Sequence, residues 1–241
     1  MSTQNGSFSF NKSDLVLYVD PSNPKSYDNQ LIQDLSYNKG FTFSMVNGAT
    51  FSLVNSKVFQ VDGITSTTAS SVTSNKVYTM TPQMSWDVWF KRTTTGSLFS
   101  MVYSNHYPYL SFGSPGNDNG FVFSWLTSLV GITTQRSIYS PATYSNNVWY
   151  NVTCTLNQDV SATTATANMY VNGLIVSTST TTVGTLDSVF QPTNSNRVNI
   201  GNFSSPKYPF TGNIGPLRVY NRILSSDEIL KNYNSTKSRF Y

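Results

Sequence analysis

One cysteine, one histidine and one glutamate stand in 241 residues, and each scarcity removes a class of chemistry. With Cys154 alone no intrachain disulfide can form, which argues against a secreted module stapled by cross-links. Its setting, Trp149-Tyr-Asn-Val-Thr-Cys-Thr-Leu156, alternates like a strand and makes the thiol a small buried hydrophobe rather than a nucleophile. With His106 alone, neither a Ser-His-Asp site with a spare base nor a multi-histidine metal site can be built within the chain. Acid–base cleavage of a glycan normally needs two carboxylates flanking the bond. Glu228 is the one glutamate, and no two of the ten aspartates sit at i, i+2 or i, i+4 on one strand. A non-enzymatic protein is therefore expected.

Charge is equally sparse. Fifteen basic and eleven acidic side chains give a net charge of +4, and the basic ones are scattered. A nucleic-acid binder would concentrate them along one face. The one local excess, Arg218, Arg222, Lys231, Lys237 and Arg239, reads as a solvated helix surface, so no nucleic-acid partner is expected. No apolar run approaches the eighteen residues of a membrane span. The segment from Met1 to Phe10 lacks the basic and apolar regions of a secretory signal, which gives the expectation of a soluble protein made in a cytoplasm. No linker, fixed-period repeat or charge block marks a domain boundary.

What the chain does hold is aromatic and alternating. Hydrophobic residues make up 38% of it, with fifteen Phe and fifteen Tyr, enough for a sizeable core. Ser85–Arg92 places Trp86, Val88 and Phe90 on one face and Asp87, Trp89 and Lys91 on the other, the second face in water or against a partner. Gly120–Leu126 does the same with Phe121, Phe123 and Trp125. Asn172-Gly173 is a strong hairpin signal, because both central residues of that turn need a positive φ. Asn119-Gly120 is a second. Strand-like runs recur near 15–19, 58–61, 76–81, 85–92, 97–103, 109–112, 120–128, 148–157, 165–171, 174–179, 196–201 and 213–220. A single helix follows, opened by Ser225-Ser-Asp-Glu228 as a capping box with Leu224 and Ile229 as a staple. A dozen short strands and one helix give an all-β, two-sheet antiparallel sandwich with a short C-terminal helix.

Two ends of the chain carry family motifs. Leu15-Val-Leu-Tyr-Val-Asp20-Pro-Ser-Asn-Pro-Lys-Ser-Tyr27, with Asp34-Leu-Ser-Tyr-Asn-Lys-Gly40, opens it, and Phe210-Thr-Gly-Asn-Ile-Gly-Pro-Leu-Arg-Val-Tyr220 leads into the final helix. Between them lie Val46-Asn-Gly-Ala-Thr-Phe51, Phe59-Gln-Val-Asp-Gly63, Met169-Tyr-Val-Asn-Gly173 and Val198-Asn-Ile-Gly201. In this order they resemble concanavalin A-like, laminin-G-type jelly-roll domains, especially those of structural proteins of tailed phages and other large viruses. The resemblance covers about residues 14 to 240 and implies a jelly roll whose first and last strands pair. It leaves residues 1–13 as an arm before a domain of residues 14–241. Glycanases of this fold carry paired glutamates as Glu-x-Asp-x-Glu or a close variant on one strand, an arrangement this chain does not have.

Three groups of residues are candidates for binding. Tyr103-Ser-Asn-His-Tyr-Pro-Tyr109 offers Tyr103, Tyr107 and Tyr109 as faces for sugar rings, with Asn105 and His106 for hydroxyls; the alternative is a hairpin loop whose tyrosines cover the sandwich edge. Asn117, Asp118 and Asn119 are oxygen donors suited to calcium, although the same run is turn chemistry; no other cofactor is implied. Phe8 and Phe10, flanked by serines, could add as a strand to a partner's sheet edge, or the arm packs on its own sandwich. The resemblance implies a virion structural protein: a capsid-decoration, head-fibre or tail-associated jelly roll. It would contact other virion proteins as a homo-oligomer or capsid-bound copy, with host-surface glycans as a further ligand class. A lectin-like microbial surface adhesin and a divergent glycan hydrolase are the alternatives.

Overall fold

The computed structural model describes residues 10, 12–26, 31–37, 40–46, 50–52, 58–61, 71–77, 81–93, 96–100, 109–114, 117–129, 132–141, 143–159, 164–182, 197–201 and 210–241. Sixteen strands are present among them. In chain order they are β1 (Leu15–Val19), β2 (Ile32–Gln33), β3 (Thr42–Val46), β4 (Thr50–Ser52), β5 (Val58–Val61), β6 (Ser71–Val77), β7 (Gln83–Arg92) and β8 (Gly96–Ser100). Then come β9 (Tyr109–Ser114), β10 (Asn117–Leu129), β11 (Ile132–Tyr139), β12 (Trp149–Asp159), β13 (Thr164–Val171), β14 (Leu174–Thr182), β15 (Arg197–Ile200) and β16 (Gly212–Tyr220). One helix, α1 (Ser226–Thr236), follows, and a 3-10 turn, Lys237–Arg239, closes it.

The strands form two antiparallel sheets. The first runs β14-β13-β12-β7-β16-β5-β4, with β1 also on β16; the second runs β11-β10-β9-β8-β15-β6-β3-β2. Their facing surfaces hold the main core, in which Trp86 and Phe90 of β7 meet Phe121, Phe123 and Trp125 of β10. The Trp86 and Phe123 ring centroids are 5.2 Å apart, and Phe121 meets Phe112 edge-on at 4.8 Å. The sandwich expected from the alternating runs is thus present, with the implied pairing of first and last strands.

A proline in a central strand normally breaks the ladder. Pro216 is tolerated because β16 shifts register against β7 between Ile214 and Leu217. On its other edge, β5 pairs with Gly212–Ile214 and β1 with Leu217–Tyr220, so the proline falls in the gap between two partners.

The outward face of β7 is not in water, and here the expectation for that strand is corrected. Asp87 and Trp89 are fully buried, Trp89 beneath the chain's own C-terminal segment. Trp89 stacks on Phe240 at 4.4 Å and on Tyr233 at 5.5 Å, and its indole N–H donates to Thr236 Oγ1 at 2.9 Å. Leu15, Tyr18, Tyr170, Tyr220, Leu224 and Ile229 form a second core there. Room for this covering comes from Gly215, where a Cβ would lie 3.0 Å from both Phe240 Cζ and Trp89 Cβ.

The helix start follows its local sequence. Ser225 Oγ accepts from the Glu228 N–H at 3.3 Å, and Glu228 Oε2 accepts from the Ser225 N–H at 2.9 Å, completing the capping box. Arg222 adds a fork to Glu228, with both nitrogen–oxygen distances 2.7 Å. That fork, with the Ser225 contacts, holds the Glu228 carboxyl down to about 2 from an ordinary 4.5. A depressed carboxylate stabilises the fold fully above its unfolded value and loses the contribution as pH falls toward the folded one. The stability gap between the parent and Glu228→Gln is therefore expected to be constant above pH 4.5 and to shrink toward pH 2. Thermal melts at stepped pH measure it; a gap unchanged at pH 2 contradicts it.

Of the two hairpin signals, Asn172-Gly173 turns between β13 and β14, with φ of 52° and 81°. Asn119-Gly120 does not turn. It lies inside β10, where the register against β9 shifts between Asn117 and Phe121, so the chain bulges there. Strands β2, β3, β4 and β11 were not expected, and β6 begins earlier than the 76–81 run.

Candidate binding site

The buried carboxylates among the described residues are all engaged in holding the fold. Asp87 pairs with Arg218 at 3.0 Å, both side chains fully buried, and also accepts from Asn151 Nδ2. Burial alone would make the Arg218 guanidinium easier to deprotonate, but Asp87, Tyr220 and Tyr18 around it together outweigh this and hold it above its ordinary value. Asp20 accepts a fork from Arg239, both distances 2.9 Å, together with the hydroxyls of Tyr18 and Ser22. Burial opposes its ionisation, but these donors and the Arg239 charge together hold Asp20 below the usual carboxylate range. Asp34 accepts from the N–H groups of Tyr18 and Ser36 and from Ser36 Oγ. The conspicuous aspartates of the opening motif are thus structural: Asp20 clasps the C-terminal tail and Asp34 locks the following turn to β1. Cys154 is buried, which pushes its thiol well up.

The aromatic segment falls in the connection between β8 and β9, and Tyr103, Asn105, His106 and Tyr107 lie outside the described residues. Tyr109 opens β9, its backbone opposite Ser100 and Ser124. Asn117, Asp118 and Asn119 start β10 at the other end of β9. Six residues of strand, about 20 Å, separate the start of β9 at Tyr109 from its far end, where β10 begins. Three or more His, Cys, Asp or Glu side chains gather nowhere among the described residues.

The outward side of the second sheet carries polar pairs beside the buried Val122. Alternation puts Ser124 and Thr73 on the face opposite to Phe123 and Val72. Ser124 and Ser137 hydroxyls bond at 2.7 Å, and Thr73 Oγ1 donates to Asn199 Oδ1 at 2.9 Å. Sequence reasoning passed over these strands because serines and threonines spread along several of them form no local motif.

A concavity of about 1340 Å³ opens where the chain crosses from one sheet to the other. Its lining comes from Phe10, Lys12 and the start of β1, from Asn23 and Lys25, and from residues 33–37 and Asn221. Tyr37 is 97% exposed at this site. Phe10, one of the two residues expected to dock on a partner, stands on the inner wall and packs on its own domain. Its ring is 4.8 Å from that of Tyr18 and covers the Arg218 guanidinium at 4.5 Å. Phe8, the other residue of that expectation, lies outside the described residues.

A family model described as the concanavalin A-like lectin/glucanases superfamily, laminin-G type, matches residues 62–230, more than half of the chain. The chain belongs to that superfamily. Among solved structures similar to it is the receptor-binding domain of botulinum neurotoxin type G, at 14% identity and a TM-score of 0.63, covering 92% of this chain and 51% of the other. The binding domain of Paraclostridial mosquitocidal protein 1 is similar at 18% identity and a TM-score of 0.64, with 93% and 52% covered. This superfamily member thus spans about half the length of those domains. Domain 4 of AbnA, an extracellular arabinanase from Geobacillus stearothermophilus, solved in complex with arabinotriose, is similar at 17% identity and a TM-score of 0.62. There the coverage is 90% of this chain and 97% of the other. At these identities the likeness is one of fold. No curated protein matches the sequence.

Proposed function

We propose that this chain is a non-catalytic, lectin-like recognition module that binds a saccharide or a receptor surface and acts as a component of a virion. The observation that carries the reading is the use of its buried carboxylates. In a superfamily that includes glucanases, Asp87, Asp20, Asp34 and Glu228 are each tied up by arginine or by backbone donors. Similar folds include toxin receptor-binding domains and a domain solved with arabinotriose, which favours recognition over hydrolysis. The virion placement is supported by the resemblance of the terminal motifs to structural proteins of tailed phages.

Incubation with a panel of polysaccharides is expected to release no reducing ends, while a glycan array detects binding. Cleavage that Asp118→Asn abolishes would overturn the non-catalytic reading. Mass spectrometry of purified particles tests the placement: the chain is expected among virion proteins, and its recovery from cell envelopes alone contradicts this.

A further inference from the structure

We propose that the cleft between the N-terminal segment and residues 33–37 is a binding site for a saccharide that carries a carboxylate. The inference rests on the recognition reading above and names a site and a ligand class for it. Its floor is rigid. Tyr18 and Leu15 belong to the second core, and Leu35 donates its N–H to the Tyr18 carbonyl at 2.7 Å. Asp34 locks the turn on which Ser36 and Tyr37 stand.

The balance of charge in the cleft decides the ligand class. Two acids line it, and both are engaged: Asp34 accepts three hydrogen bonds and is 3% exposed, and Asp14 lies 3.5 Å from Arg222 Nε and accepts from Ser13. Two lysines line it as well. Lys12 and Lys25 are exposed, and neither has a carboxylate partner among the described residues. Lys12 Nζ lies 5.8 Å from the Phe10 ring centroid, which places one ammonium at the inner wall. Among the described residues the charge left for a ligand is therefore positive.

The remaining lining suits a sugar. Tyr37 offers an almost fully exposed ring on which the apolar face of a pyranose can stack. Asn23 Oδ1 already accepts the Lys25 N–H at 3.0 Å, which leaves its amide N–H groups to donate to hydroxyls. A volume of about 1340 Å³ accommodates more than one sugar ring. Stacking, amide donors and two ammonium groups together select an acidic sugar over a neutral one.

Calorimetric titration of the full chain with 3′-sialyllactose, trigalacturonate and neutral lactose tests the site. At least one acidic probe is expected to bind, more weakly as salt is raised, with lactose bound much more weakly. Lys12→Gln/Lys25→Gln should weaken the acidic probe by about tenfold or more, the loss of charge-assisted hydrogen bonds. Tyr37→Ala should weaken it independently of salt. All these positions are exposed, so unchanged thermal melts confirm that the variants fold. Equal binding of the acidic probe by parent and double-lysine variant overturns the proposal. If array glycans bind parent and variant alike, this cleft is removed and the recognition reading stands. If no saccharide binds at all, both fall.

Discussion

Replacing Asp87 with alanine is expected to destabilise the protein by about 3–5 kcal/mol, since one partner of a fully buried ion pair is removed. The two partners are not equivalent. Arg218 cannot give up its proton, so Asp87→Ala strands a cation beneath Phe10 and Tyr18 and also leaves Asn151 Nδ2 without the carboxylate. Arg218→Ala leaves the carboxylate its hydrogen bond from Asn151 Nδ2, so its cost is expected to be smaller. Replacing both by apolar residues of similar volume should recover much of the loss. Urea denaturation of the three variants measures all of this. An Asp87→Ala variant within about 1 kcal/mol of the parent would show that the pair contributes little.

Deleting residues 224–241 is expected to have the larger effect, at least about 5 kcal/mol. The truncation uncovers Trp89 and Tyr220, both fully buried, and removes Leu224 and Ile229 from the second core; each such side chain contributes roughly 1.5–3 kcal/mol. Asn232 Nδ2 no longer donates to the Tyr220 hydroxyl, and Asp20 loses the Arg239 fork. Aggregation or loss of a cooperative melt at ambient temperature is the expected outcome, followed by near-ultraviolet circular dichroism of the tryptophans. A truncated protein with the parent's melting point would show that the tail only decorates the sandwich. Leu230 contributes little to this, being 39% exposed.

Features determined by neighbours in sequence were legible. The capping box and staple of α1 need only residues 224–229, and the Asn172-Gly173 turn only its own dihedrals. The interior faces of β7 and β10 followed from alternation. Features determined by distant segments were not. Nothing near Trp89 announces that Phe240 will stack on it, so the buried outer face of β7 read as open surface. Strand β11, Ile132-Thr-Thr-Gln-Arg-Ser-Ile-Tyr139, is too polar to signal itself, and β2 is two residues long. The cleft was invisible for the same reason: its walls come from residues scattered between 10 and 37 and from Asn221, each with an ordinary local environment. The tyrosine and Asn-Asp-Asn groups were found because their residues are contiguous, which says nothing about whether the fold unites them.

The pairing of β1 with β16 also sets how the molecule answers to tension. Leu15 lies opposite Tyr220 and Val19 opposite Leu217, so the strands enter and leave at the same end. A pull applied there would unzip them rung by rung rather than shear the ladder at once. The tail changes the order of events. Arg239 grips Asp20 just past the far end of β1, about 17 Å away. Load applied at Tyr241 therefore reaches the Asp20 clasp and the aromatic stack on Trp89 before it reaches the ladder. The C-terminal segment is a strain relief for the seam that closes the sandwich.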